Sequence, residues 1–303
     1  FFLGIQPLWV ILTLSTEGRD LSPSLSSLYP NPKERGKHMS EAILQTQELT
    51  RRYGHTLALD RASITVEKGQ IFGLVGRNGA GKTTLIRLIS GQSIPTSGQI
   101  SLFGQTSDSG LNRARSRTGA MVEIPSFYPY LTARQNLEYY RIQRGIPGKN
   151  CVDEALELVN LTDTGKKKFK TFSLGMKQRL GLALALMNQP EFLLLDEPIN
   201  GLDPEGIVEF RELLLRLNRE RQTTILISSH ILSELSALAT HFGFIEKGKV
   251  LETISGANLR EKCRECLELT VDDAPRAARV LEQQLGTRDY EVLPGNQLRV
   301  YAF

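Results

Sequence analysis

Three short apolar runs stand out in the hydrophobic pattern of the chain, and each ends in glycine or polar residues. They cover residues 71–75, 192–195 and 223–227. Four or five consecutive apolar residues are typical of a strand that is buried on both faces of a parallel sheet. Residues 82–90 follow the first run with helical spacing, and a second helix is predicted to begin at Ser173. The pattern therefore predicts an α/β fold around a parallel sheet.

The N-terminal part of the chain differs from this central pattern. Residues 15–38 are rich in Ser, Pro and Gly and have no hydrophobic period, which is typical of disorder. The first methionine is Met39, directly ahead of a strand predicted over residues 43–49. We therefore interpret residues 1–38 as a non-native leader or a disordered extension.

The C-terminal part has a pattern of its own. A strand, a helix and two further strands are predicted over residues 267–271, 274–285, 290–293 and 298–303. This order is the first part of a ferredoxin-like unit. We expect residues 258–303 to form a partial ferredoxin-like appendage, a small α+β unit truncated at its C-terminal end.

Composition limits the partners and the compartment. The chain has 303 residues, of which 40% are hydrophobic and 23% are charged, as in ordinary globular proteins. A net charge of +4 is too small to indicate a nucleic-acid partner. Three cysteines form no disulfide framework, which favours a reducing cytosol, and Cys263 and Cys266 lack the further ligands of a zinc site. The apolar residues 1–14 are too few to cross a bilayer, so any membrane process needs a separate chain.

Residues 76–83 fit the phosphate-loop pattern G-x-x-x-x-G-K-[ST] and lie between a predicted strand and a predicted helix. The glycines let backbone N–H groups face the phosphates of a nucleotide. We expect Lys82 to neutralise the β- and γ-phosphates and the Thr83 hydroxyl to bind Mg²⁺. The predicted ATP-binding residues of the loop are Gly76, Arg77, Asn78, Gly79, Ala80, Gly81, Lys82, Thr83 and Thr84.

Polar residues follow the other two apolar runs directly. Asp196 comes at the end of the run 192–195 and is placed to hold Mg²⁺, and the adjacent Glu197 is placed to polarise the attacking water. The run 223–227 ends in two serines and His230, which can contact the γ-phosphate. Because ligands bind at the carboxyl ends of the strands in open α/β sheets, these residues are predicted to form one catalytic site.

Residues 173–178, Ser-Leu-Gly-Met-Lys-Gln, resemble the signature sequence of ABC ATPases, and the phosphate loop and the acidic pair lie in the order of that family. The resemblance implies a P-loop NTPase of the ABC type over residues 43–256. Such a domain has a RecA-like core, an antiparallel β subdomain and a helical subdomain, here at about residues 124–180. It also implies that Tyr53 stacks on adenine.

The signature segment further implies a dimer, because in ABC ATPases it closes on the nucleotide that the partner holds. Two chains placed head to tail then enclose two ATP molecules. The residues expected to act across the interface are Ser173, Leu174, Gly175, Met176 and Lys177, with Met176 in place of the family's usual Gln. The loop expected to link the two sites comprises Asn200, Gly201, Leu202 and Asp203. His230 occupies the position of the family's switch histidine.

Glu123 stands where most ABC ATPases have a glutamine that reaches Mg²⁺ and the attacking water. Beside Asp196 and Glu197 it adds like charge, which we expect Mg²⁺ to offset. The expected metal ligands are Thr83, Glu123 and Asp196. Glu123 and the loop at 200–206 resemble the ATPase subunits of bacitracin and lantibiotic-immunity exporters.

This resemblance implies an ATPase subunit of a bacterial ABC exporter for peptide antibiotics or related amphiphiles. Its expected cofactors are ATP and Mg²⁺, and its expected partners are a second copy and a separate multi-span permease, with no nucleic acid. Its expected location is the cytoplasmic face of the cell membrane. The alternative is a soluble ABC ATPase that acts on ribosomes or DNA, although the sequence has no tandem ATPase halves, no long coiled-coil insertion and no strong basic stripe. The sequence leaves the cargo, the permease and the organism open.

Two groups of side chains in the helical subdomain each allow two interpretations. The aromatic residues form either a groove for a helix of the membrane partner or the subdomain core; they are Phe127, Tyr128, Tyr130, Tyr139 and Tyr140. The lysine-rich residues 166–170 form either a solvated loop or a contact with lipid headgroups or a partner.

Overall fold

The structure is a computed structural model, and it describes residues 41–123, 126–263 and 267–301. The interpretation of residues 1–38 therefore concerns residues outside these ranges. The strands are β1 (Ala42–Tyr53), β2 (Thr56–Ala62), β3 (Thr65–Glu67), β4 (Ile71–Val75), β5 (Ser97–Leu102), β6 (Thr118–Met121), β7 (Phe192–Leu195), β8 (Thr224–Ser229), β9 (His241–Glu246), β10 (Lys249–Ser255), β11 (Leu267–Thr270), β12 (Tyr290–Leu293) and β13 (Gln297–Val300). The helices are α1 (Lys82–Ser90), α2 (Asp108–Arg115), α3 (Ala133–Gln143), α4 (Asn150–Leu158), α5 (Leu174–Leu186), α6 (Pro204–Arg221), α7 (Leu232–Ser236), α8 (Gly256–Lys262) and α9 (Ala274–Gln283). Among the helices of the described ranges, none combines the length and the apolar character that spanning a membrane requires.

The central sheet has the strand order β10-β9-β4-β8-β7-β6, and all of its neighbouring pairs except β10–β9 are parallel. The predicted bounds of β4, β7 and α1 are confirmed. The apolar run at 223–227 forms β8, which extends to Ser229 because Ser228 and Ser229 pair with Leu74 and Val75 of β4. This extension brings polar hydroxyls to the carboxyl edge of the sheet.

Alternation along β7 explains why its sequence is apolar throughout. Phe192 and Leu194 belong to a core formed with β1, β2, β3, β5 and α1. Leu193 and Leu195 belong to a second core, formed with the helices from α3 to α6. Both faces of the sheet are therefore dry, and a polar side chain inside the strand would lose its hydrogen bonds to water.

The antiparallel β subdomain is built around β1, which pairs with β2, β3 and β5. The first strand is longer than the predicted 43–49, because its ladder with β2 continues through Arg51 and Arg52 to Tyr53. Tyr53 therefore ends a strand at the tip of the β1–β2 hairpin.

The helical subdomain contains α3, α4 and α5, and its aromatic residues divide between two roles. Phe127 is buried, with its ring 5.7 Å from that of Tyr140 and 5.1 Å from that of Phe169, centroid to centroid. Tyr128 and Tyr139 are exposed and lie edge to face, with centroids 4.7 Å apart. Part of the aromatic set thus forms the core, and part is surface.

The C-terminal segment forms a small antiparallel sheet of order β11-β13-β12, covered on one face by α9. The helix ends at Gln283 rather than at residue 285, and Gly286 follows with φ +68°. The last strand ends at Val300, and residues 302–303 lie outside the described part. The strand order is that of the first three strands of a ferredoxin-like unit, and the assignment of the segment to such a unit stays a prediction.

Candidate functional site

The glycine loop joins β4 to α1 and is fixed at both ends by backbone contacts. The N–H of Gly76 donates to Ser229 O at 3.2 Å, and Ala80 O accepts from the N–H of Gly248 at 2.8 Å. A Cβ atom at Gly76 would lie 2.4 Å from Ile245 O, so only glycine fits against that strand. Gly81, the N-cap of α1, has φ +110°, a conformation that residues with a Cβ rarely adopt.

Lys82 is almost fully buried within the loop that precedes it. Its Nζ donates to Gly76 O at 2.6 Å and to Arg77 O at 3.2 Å. The same Nζ lies 3.0 Å from Oε1 of Glu197. A buried ammonium needs such partners, and here the predicted catalytic carboxylate supplies the negative charge.

Glu197 receives contacts from three other parts of the chain. Oε1 faces Lys82, and Oε2 lies 3.3 Å from Nδ1 of His230 and 3.4 Å from Nδ2 of Asn200. The backbone of Glu197 has φ +46°, a left-handed conformation that is uncommon outside glycine. The structure thus brings together four residues that the sequence placed in the phosphate loop, the acidic pair, the switch position and the dimer loop.

Ser228 connects the two members of the acidic pair, and the sequence analysis did not single it out. Its hydroxyl donates to Oδ1 of Asp196 at 2.7 Å and accepts from the N–H of Glu197 at 2.9 Å. Asp196 is 8% exposed, and its own N–H donates to Met121 O at 2.9 Å. The available sequence signal was the polar pair of serines at the end of an apolar run.

The phosphate loop and the acidic pair line a cavity of about 740 Å³. Thr83, Glu123 and Asp196, the predicted metal ligands, all line it. The other lining residues are Thr56, Leu57, Ala58, Asn78, Gly79, Gly81, Lys82, Thr84, Leu174, Gln178, Glu197, Asn200 and Gly201. A second cavity of about 630 Å³ lies on the other side of the loop, lined by Arg77, Asn78, Gly79, Ala80, His230, Glu246 and Lys247. His230 therefore borders the second cavity while it contacts Glu197.

The donor set of the first cavity fits Mg²⁺. Thr83, Glu123 and Asp196 offer only oxygen atoms, which Mg²⁺ prefers, and this ion usually retains waters and phosphate oxygens as its remaining ligands. The described residues contain no group of three or more His, Cys, Asp or Glu placed to hold a metal ion, so phosphate oxygens would have to complete the shell. Cys263 is exposed after α8, and Cys266 lies outside the described ranges.

Glu123 has a counter-charge that the sequence analysis missed. Its Oε1 lies 2.5 Å from Nη2 of Arg87, and the backbone of Glu123 has φ +59°. Arg87 follows Thr83 by four positions on α1, so both side chains lie on one face of that helix. The expectation that Mg²⁺ alone offsets the extra carboxylate is therefore incomplete, because Arg87 offsets part of it.

Tyr53 is half exposed and is not among the residues that line the first cavity. Its hydroxyl is 3.2 Å from Ser93 Oγ, and the guanidinium carbon of Arg51 lies 4.5 Å from the ring centroid. The hydrogen bond with Ser93 and the charge of Arg51 lower the pKa of the Tyr53 phenol. One ring face is therefore covered by Arg51, and the stacking of adenine on Tyr53 stays a prediction.

The signature segment and the predicted dimer loop touch each other within this chain. Ser173 caps α5, its hydroxyl accepting from the N–H of Met176 at 3.3 Å. A Cβ at Gly201, which has φ +76°, would come within 2.9 Å of a methyl carbon of Leu174. Asp203 in turn caps α6 by accepting from Gly206 N–H at 3.3 Å. Both helix starts thus lie next to the first cavity.

Gln178, one turn into α5, is a further buried residue of this region that the sequence analysis did not select. It is 4% exposed and lines the first cavity, and its Oε1 has no hydrogen-bond partner among the described residues.

Comparisons with known proteins agree with this geometry. Residues 59–200 match the family model described as ABC transporter. The chain is 48% identical over 260 residues to the bacitracin transport ATP-binding protein BcrA of Bacillus licheniformis, covering 86% of this chain and 85% of that protein. It is 40% identical to the lantibiotic transport ATP-binding protein SrtF of Streptococcus pyogenes, covering 69% of this chain and 89% of that one.

Solved structures show the same fold. An ATP-binding subunit of an ABC transporter is 28% identical, with a TM-score of 0.63 over 73% of this chain and 93% of its own. The dimeric cassette MJ0796 with ADP and Pi is 23% identical, with a TM-score of 0.63 over 70% of this chain and 98% of its own. This chain belongs to the ABC transporter family, as one of its ATP-binding, ATP-hydrolysing subunits.

Proposed function

We propose that this chain drives the export of peptide antibiotics of the bacitracin or lantibiotic type, or of related amphiphiles, from a bacterial cell. The relatives named above supply the cargo class and support transport over a role on ribosomes or DNA. The observation that carries the ATPase chemistry is the convergence of Lys82, His230 and Asn200 on the Glu197 carboxylate. These contacts fix the position of the carboxylate, and it can act as a general base once the Lys82 ammonium has left it.

We infer that ATP and Glu197 compete for Lys82. The γ-phosphate brings more negative charge than one carboxylate, and the buried ammonium is the nearest cation that the loop offers. As Lys82 turns to the phosphate, Glu197 becomes free to accept a proton from the attacking water, while His230 and Asn200 hold its other oxygen. Glu197 is thus available as a base only after a triphosphate has entered.

Thr83, Asp196 and Glu123 are the residues that we propose hold Mg²⁺. When bound, the ion neutralises charge on the phosphate oxygens. Ser228 orients Asp196 through its 2.7 Å hydrogen bond, so the second oxygen of that carboxylate stays available. Arg87 orients Glu123 in a similar way by contacting its Oε1, so that Oε2 stays available.

Two copies of the chain are proposed to enclose ATP between them. The N-terminus of α5, capped by Ser173, offers backbone N–H groups to an anion. The phosphate loop of the same chain already has its own helix start at Lys82. In a head-to-tail pair each nucleotide contacts the phosphate loop of one copy and the N-terminus of α5 of the other. The loop at 200–203 then lies at the boundary between the copies. The similar cassette MJ0796 has been solved as a dimer.

A separate multi-span permease is the second proposed partner, at the cytoplasmic face of the membrane. Its docking surface is proposed to be the exposed tyrosines Tyr128, Tyr130 and Tyr139 of the helical subdomain, which are 44%, 69% and 42% exposed. Aromatic side chains are enriched at the centres of protein interfaces. Glu123 lies two residues after β6, lines the first cavity and precedes this subdomain in the sequence, and we propose that it couples the docking surface to the nucleotide site.

The experiment is to co-express the chain with a permease gene from its own locus in a sensitive bacterium. Wild type should raise the concentration of bacitracin or a lantibiotic needed to stop growth, and Glu197→Gln should abolish the gain. Protection that survives Glu197→Gln would contradict ATP-driven export. Wild-type failure to protect against either compound, with ATPase activity intact, would contradict the cargo class.

A further inference from the structure

The positive charge of the chain is concentrated in the helical subdomain. Residues 126–180 contain ten Lys and Arg but only five Asp and Glu, a net charge of +5. The whole chain carries +4, so the remainder is close to neutral. The net positive charge of the chain is therefore carried by the helical subdomain.

Two groups of cations stand out in this subdomain. Three of its four arginines form ion pairs: Arg134 with Asp153, Arg141 with Glu138 at 2.8 Å, and Arg179 with Glu209 of α6. Four lysines have no ion pair with any residue that the structure describes, and all four are exposed; they are Lys166, Lys167, Lys168 and Lys170. Two of the five acids of the subdomain thus pair with arginine, and the clustered lysines at positions 166–170 are left exposed.

The lysine segment is held in place by the segment that carries Tyr130. The N–H of Phe169 donates to Leu131 O and the N–H of Lys170 donates to Pro129 O, both at 2.9 Å. The Nζ of Lys170 lies 4.8 Å from the ring centroid of Tyr130, whose side chain is 69% exposed. We name the four lysines with Tyr130 the lysine–tyrosine surface. It is a cluster of exposed positive charges beside an exposed aromatic ring, on a backbone that is anchored at Phe169 and Lys170.

We propose that the lysine–tyrosine surface binds the headgroups of anionic phospholipids. Clustered lysines are attracted to an anionic membrane surface, and tyrosine is favoured at the boundary between hydrocarbon and water. Arginine is better suited to fixed carboxylate pairs, whereas lysine is a compact, strongly hydrated point charge. In this subdomain the ion pairs are formed by arginines and the exposed cluster consists of lysines. This favours binding to the mobile phosphate groups of a lipid surface over binding to fixed carboxylates of a partner protein. The surface would lie near a bilayer because Tyr130 also belongs to the proposed permease docking surface. Only this placement rests on the proposed function.

The test measures binding of the purified chain to vesicles without any permease. Vesicles of phosphatidylcholine containing about one third phosphatidylglycerol are compared with pure phosphatidylcholine, at about 0.1 M and about 0.5 M salt. One variant carries Lys166→Gln, Lys167→Gln, Lys168→Gln and Lys170→Gln. The matched control removes the same charge elsewhere, from four exposed arginines that form no ion pair within the described residues: Arg113→Gln, Arg219→Gln, Arg221→Gln and Arg260→Gln. Basal ATPase activity checks that both variants fold.

Wild type should bind the anionic vesicles, and the binding should weaken as salt is raised. Each removed lysine should weaken the partition about fivefold, so the lysine variant should bind more than about a hundredfold more weakly. The arginine control should change binding by less than about fivefold. Equal losses in both variants would overturn the proposal, because net charge alone would then explain the binding. Absence of wild-type binding to the anionic vesicles would also overturn it. None of these outcomes depends on the cargo or on Glu197.

Discussion

At the scale of single residues, the charge balance around Glu123 explains how a carboxylate can stand at a position where glutamine is usual. Arg87 and Glu123 are 37% and 68% exposed, so water screens their attraction and the pair is worth about 0.2–1 kcal/mol. A free energy of that size changes a binding constant by up to about fivefold. The pair also fixes which oxygen of Glu123 remains for a metal ion.

We predict that Arg87→Gln raises the Mg²⁺ concentration needed for half-maximal binding of a fluorescent ATP analogue by about two- to fivefold. The reason is that Glu123 then repels the triphosphate without a local counter-charge. Adding Glu123→Gln to Arg87→Gln should restore the wild-type dependence, because both charges are gone. An Arg87→Gln variant with unchanged Mg²⁺ dependence would mean that the pair is only a surface contact.

At the scale of elements, α3 and α5 begin in the same way but are proposed to do different work. Thr132 caps α3 in a reciprocal capping box with Gln135, and Ser173 caps α5 by accepting from Met176 N–H. Losing either cap costs about 1 kcal/mol of the free energy of unfolding. Only Ser173 lies in the segment proposed to meet the partner's nucleotide.

We predict that Thr132→Ala and Ser173→Ala lower the free energy of unfolding by similar amounts in denaturant titrations, about 1 kcal/mol each. Ser173→Ala should in addition reduce ATPase activity at least about tenfold, because a partner's γ-phosphate loses its hydroxyl contact. Thr132→Ala should retain activity. Two variants with the same activity would show that Ser173 serves as a helix cap alone.

The elements themselves were largely predictable, and the contacts between them were not. β4, β7 and α1 followed from apolar runs that end at glycine or acid. The Arg87–Glu123 and Lys82–Glu197 pairs join positions 36 and 115 residues apart in a chain of 303, and no local pattern encodes which charged groups meet. Ser228 was missed for a related reason: a serine at a strand end is informative only once the neighbouring strand is known.

At the scale of the whole molecule, every predicted site residue belongs to the described part of the chain, from Tyr53 onward. We therefore predict that deleting residues 1–38 leaves the ATPase rate and the thermal unfolding temperature unchanged. N-terminal sequencing of the protein from its native cell would complement the deletion. A deletion that lowers either quantity, or a native start upstream of Met39, would contradict the leader interpretation.

The central claim is that Glu197 is held by Lys82, released by ATP, and then acts as the base. The most direct measurement compares ATP binding, ATP hydrolysis and dimer formation of wild type with those of Glu197→Gln. The account predicts retained binding, hydrolysis slower by about two to four powers of ten, and a dimer that persists with ATP trapped inside it. A Glu197→Gln variant that hydrolyses ATP at a rate near that of wild type would contradict the account.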